Sequence, residues 1–270
     1  MLREYPTVID ALRSDFAETA TLFTRDRVRL RAGFAPGPGG GTALLLVHGF
    51  NASLSKPPNR AVLATLTEQF PVVAVELRGH GRSQGLCTLG DKEILDVEAA
   101  ARWAAVLGCS QVVTIGFSMG AAVVVRHAAI IGGVAGVVSV SGPAFWNYRG
   151  TSIMRVLHFG VENPLARQYL SRVMGTRVVP PPWPKPWPES PSEAAARIPP
   201  VPFLVVHGTQ DGFFPDEHPR ALIRAAARGA RERGVPDSSE LWLRDFGHAE
   251  AAIPAGLLRE ITEWVQVRCR

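Results

Sequence analysis

The chain has 270 residues, of which 46% are hydrophobic, 20% charged and 8% aromatic. This excludes a disulfide-stapled miniature, a disordered tail and a collagen-like repeat, and it leaves room for one large α/β domain or two small ones. Lysine and arginine number 29 against 24 acidic residues, a formal charge of +5, but only Lys56, Lys92 and Lys185 are lysines. An excess carried almost wholly by arginine reflects GC-rich coding more readily than a binding function, so neither nucleic acid nor stable membrane insertion is expected.

Cys87, Cys109 and Cys269 are odd in number and widely spaced, which suggests neither a disulfide framework nor a zinc site and fits a reduced cytoplasm. The first 22 residues mix Arg3, Glu4, Asp10, Arg13 and Asp15 among apolar positions, unlike a signal peptide. The longest apolar stretch, residues 119–140, is broken by Arg126, His127 and Gly132-Gly133. It reads as a buried helix and a buried strand rather than a membrane span.

In chain order, residues 7–15 form an expected short helix and residues 19–34 a hairpin. Arg25, Arg27, Arg29 and Arg31 recur at period two and would share one face of that edge hairpin. Residues 36–41 (PGPGGG) are a turn. Continuous apolar runs at 42–48, 72–75, 112–115, 134–140 and 203–206 suit strands buried on both faces of a parallel sheet. Helical patterns at 91–107, 121–131, 219–233 and 251–267 alternate with them, and 241–244 reads as a last strand. The alternation predicts a doubly wound α/β sheet. Arg220, Arg224 and Arg228 stripe a solvated helix face.

Residues 143–200 break the rhythm and read as an insertion. Short helices are expected at 153–159 and 164–174. The run VPPPWPKPWPESP at 179–191 must be extended, a spacer rather than a docking motif. The aromatics Phe145, Trp146, Tyr148, Trp183 and Trp187 suit ordinary packing or an acyl pocket under a lid equally well.

The sharpest motif is Gly116-Phe117-Ser118-Met119-Gly120, set between an expected strand and helix. A serine there sits on a tight turn with its hydroxyl exposed, and the glycines let the chain fold back on itself. Asp211 follows the strand at 203–207, and His248 follows the strand at 241–244. Ligand sites of open sheets lie at such strand ends. His48-Gly49-Phe50 follows the strand at 42–47, where its loop can aim the Phe50 N–H at the site. Among seven histidines His248 is the preferred base. Asp211 is preferred over Asp216, Asp237 and Asp245 as the acid that orients it.

On Val47-His-Gly-Phe50, Glu76-Leu-Arg-Gly-His-Gly-Arg-Ser83, Gly116-Phe-Ser-Met-Gly120, His207-Gly-Thr-Gln-Asp211 and Gly247-His248, the chain resembles the α/β-hydrolase family over nearly its whole length. The resemblance implies one domain over residues 1–270, a mostly parallel sheet of eight-stranded type and a lid at 143–200. It also implies structural roles for His48 and His80. Glu76 departs from the aspartate of many relatives, with a small effect on loop packing expected. Chemistry then assigns Ser118 as nucleophile, His248 as base and Asp211 as its orienting partner. The N–H groups of Phe50 and Met119 would be the oxyanion donors. The expected activity is carboxylic ester hydrolysis of a small, partly apolar substrate, esterase-, monoacylglycerol lipase- or lysophospholipase-like, with no metal or organic cofactor. Thioesterases and carbon–carbon bond hydrolases share the triad, and a non-catalytic binding protein on the same fold is the alternative of another class. Substrate and oligomeric state do not follow from the sequence.

Overall fold

Apolar side chains on both faces of a strand require cover on both sides, and the fold follows from that. The computed structural model describes residues 15–38, 40–180 and 185–269. Eight strands form one sheet: β1 (Glu18–Phe23), β2 (Arg29–Ala35), β3 (Thr42–Val47), β4 (Val72–Val75), β5 (Gln111–Phe117), β6 (Gly136–Val140), β7 (Phe203–Gly208) and β8 (Ser239–Arg244). Their order is β1-β2-β4-β3-β5-β6-β7-β8. β2 pairs antiparallel with β1 and β4, and the remaining pairings are parallel. The period-two pleat divides β3: Leu45 and Val47 enter one core cluster, Leu44 and Leu46 the other.

The helices are α1 (Pro57–Leu66), α2 (Ile94–Val106), α3 (Met119–Ile130), α4 (Ser152–Glu162), α5 (Pro164–Tyr169), α6 (Pro191–Ala195), α7 (Glu217–Arg233) and α8 (Ala255–Arg268). α2, α3, α6 and α7 pack into the first cluster, through residues such as Val97, Val124, Ala194 and Leu222. α1 and α8 pack into the second through Leu63, Leu66, Leu258 and Ile261. Each fully buried leucine of this kind contributes about 1.5–3 kcal/mol of transfer free energy. No helix of the described residues is long and apolar enough to cross a membrane.

The expected strands and the main helices are present, with ends shifted by a few residues. α1 has no counterpart in the sequence reading: Pro57-Pro58 look like breakers but occupy the first turn, where no intrahelical donor is lost. The arginine stripe is a correction. Arg25 and Arg27 lie in the β1–β2 turn, with Arg27 at φ 63°, so they share no strand face with Arg29 and Arg31. Arg25 instead pairs with Glu98 of α2. Arg220, Arg224 and Arg228 are exposed on α7 as expected. The helix expected at 7–15 falls almost wholly outside the described residues.

Between β6 and β7 the chain departs from the sheet. α4 and α5 lead into a π-helical turn, Leu170–Met174, and single bridges then tie Thr176 to His80 and Val178 to Cys87. α6 rejoins the core between α3 and α7.

The loop after β4 is held by a buried ion network. Arg78 meets Asp96 through Nε at 2.9 Å and NH2 at 2.8 Å, and Asp26 through NH1 at 2.7 Å. Asp96 is fully buried, while the Arg78 guanidinium helps hold the Asp26 carboxyl down at about 2. Arg78→Met would leave Asp96 buried without a counter-charge, so unfolding in urea should show a loss of about 3–5 kcal/mol.

Candidate active site

At the end of β5 the chain turns into α3 through Ser118, whose φ of 51° and ψ of −117° are strained for a residue with a side chain. The turn is possible because its flanks are glycines. A Cβ on Gly116 would strike the backbone of Gly120, and one on Gly120 would strike the carbonyl oxygens of Val47 and His48. Gly120→Ala should therefore push α3 off β3 and lower stability by about 1–3 kcal/mol, read as a drop in Tm together with lost activity.

Ser118 Oγ lies 2.8 Å from His248 Nε2, and His248 Nδ1 lies 2.7 Å from Asp211 Oδ2. The three come from loops after β5, β7 and β8. The side chain of Asp211 is fully buried, and its Oδ1 accepts the N–H groups of Phe213 at 2.8 Å and Phe214 at 3.1 Å. Burial alone would raise the Asp211 carboxyl; the bonds from His248, Phe213 and Phe214 outweigh it and hold the group below the ordinary carboxylate range. Because Asp211 is a pure acceptor, the proton of His248 is drawn to Nδ1, leaving Nε2 free to accept from Ser118. Phe213 stacks on the imidazole, ring centroids 4.0 Å apart at 21°.

The competing groups are occupied elsewhere. Asp245 accepts from Gln210, Asp216 pairs with Arg220, and Asp237 accepts from Ser239. His207 donates to the Phe214 carbonyl, and His218 accepts the Ala144 N–H at 3.0 Å. His48 and His80 pin the loop after β3. His48 Nε2 accepts the Leu77 N–H at 3.1 Å, so its Nδ1 donates to the Gly49 carbonyl; His80 Nε2 accepts the Asn51 N–H at 3.3 Å. Burial pushes both rings toward the neutral form that these bonds need, His80 well below its ordinary range.

Phe50 thus stands between two anchored neighbours, with its ring edge-on to His80, and lines the cleft above Ser118. Met119 opens α3, so no carbonyl of that helix precedes its N–H. Glu76 bridges two loops, accepting from Ser53 Oγ at 2.7 Å and from the Arg82 N–H at 3.0 Å.

The cleft has a volume of about 290 Å³ and is bounded by Phe145, Trp146, Tyr148, Met154 and Leu157 on the side of the β6–β7 segment. Trp146 is fixed by its indole N–H, which reaches the carbonyls of Pro188 and Glu189. Trp187 is a correction: it is 50% exposed and does not line the cleft, because the extended run around it is held through the next two carbonyls and leaves its ring in solvent. Trp183 lies outside the described residues.

Two residues at the site went unread in the sequence. Phe213 had a faint signal, an aromatic pair directly after Asp211-Gly212. Glu250 had none. It lines the cleft, and its Oε1 accepts the Gly49 N–H at 3.1 Å across 201 positions of chain. Ala249, at φ 52°, turns the chain back to bring it there.

Among the described residues no group of three or more metal-ligating side chains is assembled. What the arrangement can do is move a proton from a hydroxyl to an imidazole backed by a buried carboxylate.

Comparison with known proteins gives a family and a fold. The model of the alpha/beta hydrolase family matches residues 44–253. An esterase from Pyrococcus furiosus superposes with a TM-score of 0.73 at 22% identity, covering 100% of this chain and 98% of that one. An esterase from Rhodococcus sp. ECU1013 gives 0.61 at 22% identity over 93% and 99%. An N-formylmaleamic acid deformylase from Pseudomonas putida S16 gives 0.59 at 16% identity over 84% and 92%. At these identities the likeness is one of fold. No curated protein sequence matches the chain.

Proposed function

The chain belongs to the alpha/beta hydrolase family, and from that premise we propose that it is a serine hydrolase that cleaves carboxylic esters. The observation that carries this reading is the unbroken run Ser118 Oγ, His248 Nε2, His248 Nδ1, Asp211 Oδ2, with separations of 2.8 and 2.7 Å on either side of the imidazole. His248 takes the Ser118 proton as Oγ attacks the ester carbonyl. Asp211 stabilises the resulting imidazolium. The oxyanion is held by the N–H groups of Phe50 and Met119, the second favoured by its place at the start of α3. Collapse expels the alcohol, which takes its proton from His248 and leaves an acyl group on Ser118. Water, deprotonated by His248, then releases the acid.

In this reading residues 1–270 form a single domain, and residues 143–200 are its lid. Phe145, Trp146 and Tyr148 present an apolar wall to the substrate, which suits an uncharged, partly apolar acyl or alcohol group. The substrate is a small-molecule ester, and neither metal nor organic cofactor takes part.

The test pairs an alkyl fluorophosphonate probe, read by intact-mass spectrometry, with a panel of p-nitrophenyl esters and thioesters of graded chain length. One adduct, abolished by Ser118→Ala, and ester turnover are expected. No adduct would leave a non-catalytic binding protein as the reading. Turnover of thioesters alone would make the enzyme a thioesterase.

A further inference from the structure

Fourteen large apolar side chains are exposed among the described residues, and seven of them fall within residues 153–174. Val156, Phe159, Leu165 and Val173 are each at least 62% exposed. Apolar residues scattered singly over a surface need no explanation, but half of them gathered in under a tenth of the chain make a patch. The geometry of α4 shows how it arises. At 100° per residue, Met154, Leu157 and His158 share the side that lines the cleft. Ser152, Val156 and Phe159 share the opposite side, with Arg155 beside them. A surface helix ordinarily keeps a polar outer face; α4 instead sets Val156 and Phe159 in solvent there, beside Ser152 and Arg155.

The charge on this segment is equally uneven. Residues 145–177 carry Arg149, Arg155, Arg167, Arg172 and Arg177 against Glu162 alone. Glu162 is paired with Arg149. Arg155 rests on the carbonyls of Arg149 and Gly150, and Arg167 on those of Val161 and Glu162. These bonds orient the guanidinium groups without neutralising them. Within α4, α5 and the π-helical turn themselves, Arg155, Arg167 and Arg172 stand against Glu162, an excess of +2 out of the chain's net +5.

We propose that the outer face of α4, α5 and the π-helical turn is a peripheral docking surface for an anionic lipid layer. Val156, Phe159 and Leu165 enter the boundary between headgroups and acyl chains, and the arginines sit at the level of the phosphates. A second copy of the chain across a two-fold axis would set the same uncompensated arginines against one another, so charge favours lipid over self-association. The inner side of α4 is a wall of the cleft, so docking brings the cleft to a surface where amphiphilic molecules gather. The surface stands independently of the esterolytic reading.

The test is co-sedimentation of the full chain with vesicles of phosphatidylcholine alone or mixed equally with phosphatidylglycerol. Hydrolysis of soluble p-nitrophenyl acetate and circular dichroism are followed in parallel. The chain should sediment with the anionic vesicles, not the neutral ones, and less so as salt is added. Val156→Ser with Phe159→Ser should lower partitioning by about tenfold or more. Arg155→Gln with Arg172→Gln should lower it by about fivefold per arginine. None of these residues lines the cleft, so ester hydrolysis should stay unchanged. Absence of binding at low salt, or equal binding by folded variants, overturns the proposal. So does a dimer in light scattering that the serine variant dissociates while no vesicle is bound; the patch is then covered by a second copy. Vesicle binding without any ester hydrolysis would sink the proposed activity and leave the docking surface standing.

Discussion

Ser118→Ala is expected to lower kcat/KM for a p-nitrophenyl ester by about 10⁵–10⁶-fold, as removal of a triad nucleophile does. The expectation rests on where the hydroxyl sits. Oγ is 2.8 Å from an imidazole whose other nitrogen bonds a buried carboxylate, and among the described residues no second hydroxyl shares that contact. The strained backbone at Ser118, φ 51°, is as unfavourable for alanine as for serine, so the fold should lose little. Stability in urea should change by under about 1 kcal/mol. Steady-state kinetics and fluorophosphonate labelling should fail together. A loss under a hundredfold would mean that another group forms the covalent intermediate or that none is formed.

The sequence made the three partners readable for a physical reason. Ser118 and Asp211 each follow a strand buried on both faces, which announces itself as an apolar run, so the pattern of residue types locates its C-terminal end; His248 follows the half-buried edge strand β8, marked only by Leu241-Trp242-Leu243. The loop anchors His48 and His80 came from the family resemblance rather than from residue type or spacing, and in the fold both rings satisfy backbone groups of buried turns. Glu250 was not legible, since its contact with Gly49 depends on a single backbone turn at Ala249 that no residue type there advertises. Phe213 was only faintly marked, because a stacking partner is chosen by the path of the loop after Asp211 and not by spacing. The arginines at 25–31 misled in the opposite direction. Their period of two is the mark of a strand, yet a turn centred on Thr24 to Val28 interrupts it, with the Val28 N–H bonded to Thr24 Oγ1 at 2.8 Å. Trp187 shows the limit of composition: an aromatic residue near a site is not thereby in it.

Asp211→Asn is the sharper experiment, because it leaves size and shape nearly unchanged while exchanging one carboxylate acceptor for an amide donor. The carboxylate has two tasks. Oδ1 accepts two backbone N–H groups, from Phe213 and Phe214, and Oδ2 accepts from His248 Nδ1. An asparagine can satisfy the two backbone donors only with its carbonyl oxygen, which forces its NH₂ toward His248. That NH₂ donates to Nδ1, the ring proton moves to Nε2, and the nitrogen facing Ser118 can no longer accept. Phe213 stacked at 4.0 Å keeps the ring from rotating away, so the wrong tautomer is held in the right place. The loss of the buried negative charge also removes the stabilisation of the imidazolium. A fall in kcat of about 10⁴ with KM nearly unchanged is expected, the magnitude known for this substitution in a Ser-His-Asp triad. The rate of fluorophosphonate labelling should fall in parallel, since it uses the same proton transfer. A variant that keeps activity within tenfold would show that the imidazole is oriented by something other than Asp211. Neither Asp245 nor Asp216 is placed to take over, as each is bonded elsewhere at 2.6 and 3.2 Å.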